Sequence, residues 1–182
     1  MPGTGRLIAL VGPSGAGKDT LLAGLARACP EVHIARRTIS RPASAETEPF
    51  ESVVPAQFAA LRAGGAFALH WEAHGLCYGL RHRELAALMT GGTVIFNGSR
   101  AALPRIAARH PALEVIVVTV SPGILASRLA ARGREDADEI AGRLARADFA
   151  LPAGLTARTV SNDGRPEEGI ARLADLLQPV RA

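Results

Sequence analysis

Short apolar runs alternate with segments of helical period along most of this chain. Leu7-Ile8-Ala9-Leu10-Val11 is continuous and is stopped by Gly12, the pattern of a strand buried on both faces of a parallel sheet. Thr93-Val94-Ile95-Phe96 and Glu114 to Val120 repeat that pattern, and Ala157-Arg158-Thr159-Val160 is a weaker version of it. Helical periodicity follows the first run from Thr20 to Arg27 and ends before Pro30; it returns at about 100–109, 122–132, 138–148 and 166–178. Strands alternating with helices predict an α/β protein with a mostly parallel sheet. Two stretches depart from the rhythm. From about 38 to 80 the signals are short and mixed, with one helical piece near Pro55–Ala63, which predicts an insertion packed over the carboxyl edge of the sheet, where open α/β sheets bind ligands. Dense charge at Arg132-Gly133-Arg134-Glu135-Asp136 separates two helical segments and reads as a short lid over about 132–138.

With 182 residues the chain is expected to form one domain, 1–182. Its 48% hydrophobic content includes few aromatic residues, so the core must be aliphatic. No apolar stretch approaches the roughly 20 residues of a spanning helix. The first residues lack a basic segment followed by an apolar one, so no signal peptide is expected. Cys29 and Cys77 stand without a metal-ligand pattern and read as reduced thiols of a cytoplasmic protein. The formal charge of +4 and the pI near 10 raise the question of nucleic acid. Against it, only one of the 21 basic residues is lysine and the arginines are spread along the chain, with no basic run interleaved with aromatics. Arginine forks onto phosphate, so this excess suits a small polyanion. Composition leaves a homodimer open.

Chemistry enters between the first strand and the first helix. In Gly12-Pro13-Ser14-Gly15-Ala16-Gly17-Lys18 the glycines let backbone N–H groups turn toward an anion, and the following helix adds its dipole. Lys18 is placed to reach the β- and γ-phosphates of ATP. Asp19 stands where a magnesium-binding hydroxyl is usual, and the hydroxyl comes one place later, at Thr20. Thr20 is expected at phosphate or the Mg²⁺ shell, whereas Asp19 reads equally as a holder of that shell's water and as an acid favoured by the helix dipole. No residue is assigned as a direct metal ligand. With this loop the predicted architecture is a three-layer P-loop fold around five mostly parallel strands, carrying the acceptor insertion and the lid.

The order of motifs resembles guanylate kinase over nearly the whole chain: the loop, then Gln57-Phe58, Gly64/Gly65-Ala66-Phe67, Trp71, His74-Gly75 and Tyr78-Gly79, then Ser121-Pro122 through Arg143-Leu144, and Ser161-Asn162-Asp163. The acceptor half departs from that family. His70 and Asn97 stand where guanine-reading carboxylates are expected, Arg37 where a serine reads the base, and Ser40-Arg41-Pro42-Ala43 keeps one arginine of two. Those departures, with the run Phe67 to Gly79 and Asn97-Gly98-Ser99-Arg100, resemble the ribose 1,5-bisphosphate phosphokinases of phosphonate breakdown. The resemblance implies ATP with Mg²⁺ as phosphoryl donor, a sugar bisphosphate as acceptor, and 5-phosphoribosyl 1-diphosphate as product. It further implies Arg132 and Arg143 as lid arginines closing on the transferred group, with Arg128 and Arg134 as rivals, and Asn162 near the adenine. Arg41 is expected on an acceptor phosphate together with Arg37 and Tyr78. His70, His74, Asn97 and Arg100 are expected against the sugar phosphate, and Trp71 in packing. Two alternatives stay open at this point: a nucleoside monophosphate kinase with an unusual acceptor, and a non-catalytic module that binds protein.

Overall fold

A computed structural model of the protein describes residues 5–42, 50–131, 151 and 155–178. Its central element is β1 (Arg6–Val11), flanked by β7 (Thr93–Asn97) and β8 (Glu114–Thr119), with β2 (Val32–Ile34) and β9 (Ala157–Ser161) outermost. All four pairings in this five-stranded sheet are parallel. Period-two alternation explains why β1 is apolar at every interior position. Ile8 and Leu10 face α1 (Lys18–Ala28) and the last helix (Pro166–Leu177), joining Leu21, Leu25 and Leu173 in one cluster. Leu7, Ala9 and Val11 face the other way, joining Phe96, Leu103 and Trp71. Both faces are covered, which gives the three expected layers.

The mixed region is a second sheet, in the order β4 (Glu51–Ser52), β3 (Arg37–Ile39), β6 (Leu76–Arg81), β5 (Phe67–Ala73). Between β4 and β5, α2 (Pro55–Ala63) stacks Phe58 on Phe67 with ring centroids 4.7 Å apart. β5 and β6 join through a two-residue turn, His74-Gly75, in which φ is 53° and 72°. Positive φ at both positions is the turn that matches the twist of a hairpin, and histidine is among the few side chains that enter this conformation readily. Leu69, Trp71 and Leu80 send this sheet's inner face into the main core.

The four strands and most of the helices expected from periodicity are present, and the helix expected at 138–148 lies outside the described residues, as does the lid at 132–138. α1 begins at Lys18 rather than Thr20. Residues 82–90 form 3-10 turns, and the helix at 103–109 (α3) is entered through another at Arg100–Ala102. α4 covers Pro122–Ala131, and the last helix is α5. Of the elements in the main sheet, β2 escaped the hydrophobic pattern: three residues, one of them exposed, carry too little periodicity to register.

Candidate active site

The phosphate loop is held from below by its neighbours. Gly17 sits at φ 85° as the residue capping α1, and a Cβ there would come 2.6 Å from the Asn162 amide nitrogen. That amide donates to the Ala16 carbonyl at 2.7 Å, from a side chain only 5% exposed. Leu125 and Leu129 of α4 press on Gly15, where a Cβ would stand 3.1 Å and 2.9 Å from their methyl groups. Only glycine fits at either place. Lys18 bends across the loop and donates from Nζ to the carbonyls of Gly12 and Pro13, each at 2.9 Å.

A cleft of about 560 Å³ opens beside the loop, between the carboxyl ends of the main sheet and the second sheet. Gly12, Pro13, Ser14 and Lys18 line one side. The parallel register that sets Leu10 opposite Asn97 brings the end of β7 next to the loop, so Asn97, Gly98, Ser99 and Arg100 form the floor. Burial pushes the Arg100 pKa down from the ordinary arginine value, a cost that an anion beside it would offset. The second sheet supplies the far wall: Arg37, Arg41, His74 and Tyr78, with Trp71 beneath. Tyr78 lies flat on Trp71, centroids 5.6 Å apart and planes at 6°, and the Arg37 guanidinium lies 5.3 Å over the Tyr78 ring. This three-layer arrangement fixes the Arg37 guanidinium at the cleft wall by a cation–π contact. Lys18, Arg37, Arg41 and Arg100 thus share one cavity, and no Asp or Glu is among its described lining residues.

The sequence profile of the AAA domain family matches residues 7–152. The ribose 1,5-bisphosphate phosphokinase PhnN of Ruegeria sp. (strain TM1040) is 46% identical over 183 residues, an alignment covering 100% of this chain and 96% of the relative. The chain belongs to the ribose 1,5-bisphosphate phosphokinase family. A longer relative, the bifunctional ribose 1,5-bisphosphokinase-thymidine phosphorylase of Cupriavidus necator, is 42% identical over 98% of this chain, which spans only 30% of that protein. In three dimensions the chain superposes on the guanylate kinase of Anaplasma phagocytophilum with a TM-score of 0.67 at 16% identity, covering 96% of this chain and 85% of that one. That likeness shows the fold, as the motif order predicted.

Within this cleft, most of the residues expected at the acceptor come together: Arg37, Arg41, His74, Tyr78, Asn97 and Arg100. His70 is a correction. Trp71 and Ala73 line the cavity and His70 does not, because neighbouring positions of a strand point to opposite faces. Its imidazole is half-buried, and burial first, then Arg105, Arg109 and Arg62, hold its pKa down. Asn162 acts on the loop backbone, through Ala16. Thr20 is exposed and is not among the lining residues, since one step along a helix turns a side chain by about 100°. Asp19, one place earlier, instead accepts a 2.6 Å hydrogen bond from the Asn97 amide.

Arg132 and Arg143 lie outside the described residues. Arg128 is nearer the loop than its standing as a rival suggested: its Nη1 is buried, lacks a hydrogen-bond partner among the described residues, and is 4.0 Å from where a Gly17 Cβ would be. Its place three residues after Leu125 and one before Leu129, both packed on the loop, was the available signal. No group of three His, Cys, Asp or Glu side chains able to cage a metal is found among the described residues. Mg²⁺ is commonly held by substrate phosphates, water and one or two carboxylates. Asp19, in the first turn of α1, is the carboxylate at hand for such a shell. Among the same residues no helix is long and apolar enough to cross a membrane.

Proposed function

We propose that this chain, acting as a single kinase domain in the cytoplasm, transfers the γ-phosphoryl group of ATP to the 1-phosphate of ribose 1,5-bisphosphate. The products are 5-phosphoribosyl 1-diphosphate and ADP. The observation that carries this reading is the charge of the cleft: four fixed cations and no described carboxylate on its lining, next to a phosphate loop. A nucleoside monophosphate offers one phosphate and a polar base; a sugar bisphosphate offers two phosphates and hydroxyls. Guanine's N–H donors would find cations where acceptors are needed, and each unmatched buried polar group costs about 1–3 kcal/mol.

The chemistry asks little of a base. A phosphomonoester oxygen is already ionised near neutral pH, with a second pKa of about 6, so the acceptor needs no side chain to remove a proton. One of its oxygens bonds to the γ-phosphorus while the bond from that phosphorus to the β–γ bridging oxygen breaks, and the electron pair leaves with ADP. What remains is alignment and charge neutralisation. Loop N–H groups and Lys18 would hold the donor phosphates, while Arg41 and Arg37 would hold the acceptor's two phosphates. Ser99 and Arg100 would bind the sugar phosphate from below and His74 from the hairpin. Arg132 and Arg143 would close on the transferred group. Mg²⁺ bound with the nucleotide would supply further charge neutralisation at the phosphates, with Asp19 as the side chain on hand for its water shell.

The test is a coupled ADP-release assay over ribose 1,5-bisphosphate, GMP and AMP. Turnover with ribose 1,5-bisphosphate well above the nucleotides is expected, and strong turnover with GMP alone would replace this reading by a nucleoside monophosphate kinase.

A further inference from the structure

One wall of the cleft ends in the helix α1 and the other belongs to the second sheet, and Asn97 bonds to a residue of each of these elements. It ends β7, is 6% exposed, and is held in place by the parallel register with Leu10 and by the neighbouring Gly98 N–H, which donates to the Leu10 carbonyl at 2.9 Å. From that fixed position its side-chain amide donates to Asp19 Oδ1 at 2.6 Å, in the first turn of α1 and directly after Lys18. Its main-chain carbonyl accepts from Arg37 Nη1 at 3.3 Å. Arg37 is the guanidinium stacked on Tyr78 in the far wall. The path from the helix that follows the phosphate loop to the acceptor arginine therefore passes through one residue.

We propose that Asn97 is a positioning residue that keeps the Asp19 end of α1 and the acceptor arginine Arg37 in one register, and that it must be an amide because the atom it faces belongs to a carboxylate. The inference rests on the functional reading in taking donor phosphates on the loop side and a phosphorylated acceptor on the Arg37 side. An ionised aspartate only accepts hydrogen bonds, so its partner has to donate. Aspartate at 97 would match asparagine in shape and set two carboxylates at hydrogen-bonding distance, where like charges oppose each other. Loss of this bond shifts α1 relative to Arg37. Phosphoryl transfer is sensitive to such shifts, because misplacement of the reacting atoms by about 1 Å costs about 10²-fold. The effect should appear in kcat more than in the KM for ATP, since the loop backbone that binds the nucleotide is held separately, by Asn162 and α4.

A reciprocal exchange tests this on the full chain, assayed with whichever of ribose 1,5-bisphosphate and GMP the wild type turns over. Asn97→Asp is expected to lower kcat about 10- to 100-fold, the range for a lost hydrogen bond to a charged group, with the KM for ATP changed less than about threefold. Asn97→Ser, which keeps a shorter donor, should fall between that variant and the wild type. The double variant Asp19→Asn/Asn97→Asp restores a donor–acceptor pair with its direction reversed and keeps one carboxylate in the pair. Assayed at saturating Mg²⁺, because Asp19 is also the carboxylate at hand for that ion's water shell, it should recover kcat by about tenfold over Asn97→Asp. Wild-type kcat in Asn97→Asp or Asn97→Ser overturns the proposal, and so does a folded double variant no faster than Asn97→Asp. Wild-type preference for GMP would defeat the functional reading alone, because the exchange is then judged with GMP.

Discussion

The phosphate loop and the acceptor wall meet across one cleft and are built on opposite plans. The loop offers backbone: its shape is set by close contacts that exclude side chains at Gly15 and Gly17. The opposite wall offers side chains carried on strands of two to seven residues, and those side chains are held by one another, as in the Arg37–Tyr78–Trp71 stack. A backbone site recognises what is common to nucleoside triphosphates and tolerates little change. A side-chain site can be rewritten residue by residue, which is how a fold shared with guanylate kinase can present arginine and asparagine to a different acceptor.

Breaking the loop side should have the largest effect. Lys18→Ala removes the one ammonium in the cleft and should lower kcat by about 10²- to 10³-fold, the range for losing a preorganised donor, with the far-ultraviolet circular dichroism unchanged. Retained turnover would mean that the lysine bonded to the loop carbonyls takes no part in transfer. On the acceptor side, Arg37→Ala should raise the KM for ribose 1,5-bisphosphate about 10- to 100-fold, as expected for a charge-assisted contact, and leave the KM for ATP nearly unchanged. Equal changes in both constants would dissolve the division into two halves.

A pH experiment addresses how the acceptor wall is supported. Arg81, by a bidentate pair at 2.6–2.7 Å, and then Thr38 lower the Glu51 carboxyl from its ordinary 4.5 to about 2 against the opposing effect of burial. A carboxyl lowered in this way contributes stability that is complete above the ordinary value and is lost as pH falls through the folded one. The second sheet should therefore weaken between about pH 4.5 and pH 2. Trp71 is the only tryptophan and lies in that sheet, so its fluorescence reports the loss, and Glu51→Gln should flatten the profile over the same interval. The smallest effect is expected at His70. Outside the cleft, His70→Ala should change kcat/KM for the acceptor by less than about threefold, as for a substitution away from the site; a larger loss would return this imidazole to the substrate.

The same contrast explains what could be read from the sequence. The loop was legible because a backbone cradle demands glycines at fixed spacing between a buried strand and a helix, and Gly12, Gly15, Gly17 and Lys18 meet that demand locally. The central strands were legible because a sheet covered on both faces leaves no polar position in β1 after Arg6 at its edge. β2 was not, since its three residues carry no period. The second sheet was seen only as irregularity, because its strands are short and their pairing partners are far apart in sequence, as with Arg37 and Leu80. His70 was misplaced because alignment fixes a position along a strand while the pleat fixes its face, and the cleft lies on the face of Trp71. The Asp19–Asn97 bond spans 78 positions, and no local rule signals a contact of that kind.

Phosphorus NMR of the enzyme with ATP, Mg²⁺ and ribose 1,5-bisphosphate follows the atom on which the functional reading turns. It should show the 1-phosphate monoester resonance replaced by a coupled diphosphate pair while the 5-phosphate monoester persists. Two unchanged monoester resonances, under conditions in which the same preparation converts GMP to GDP, would contradict it.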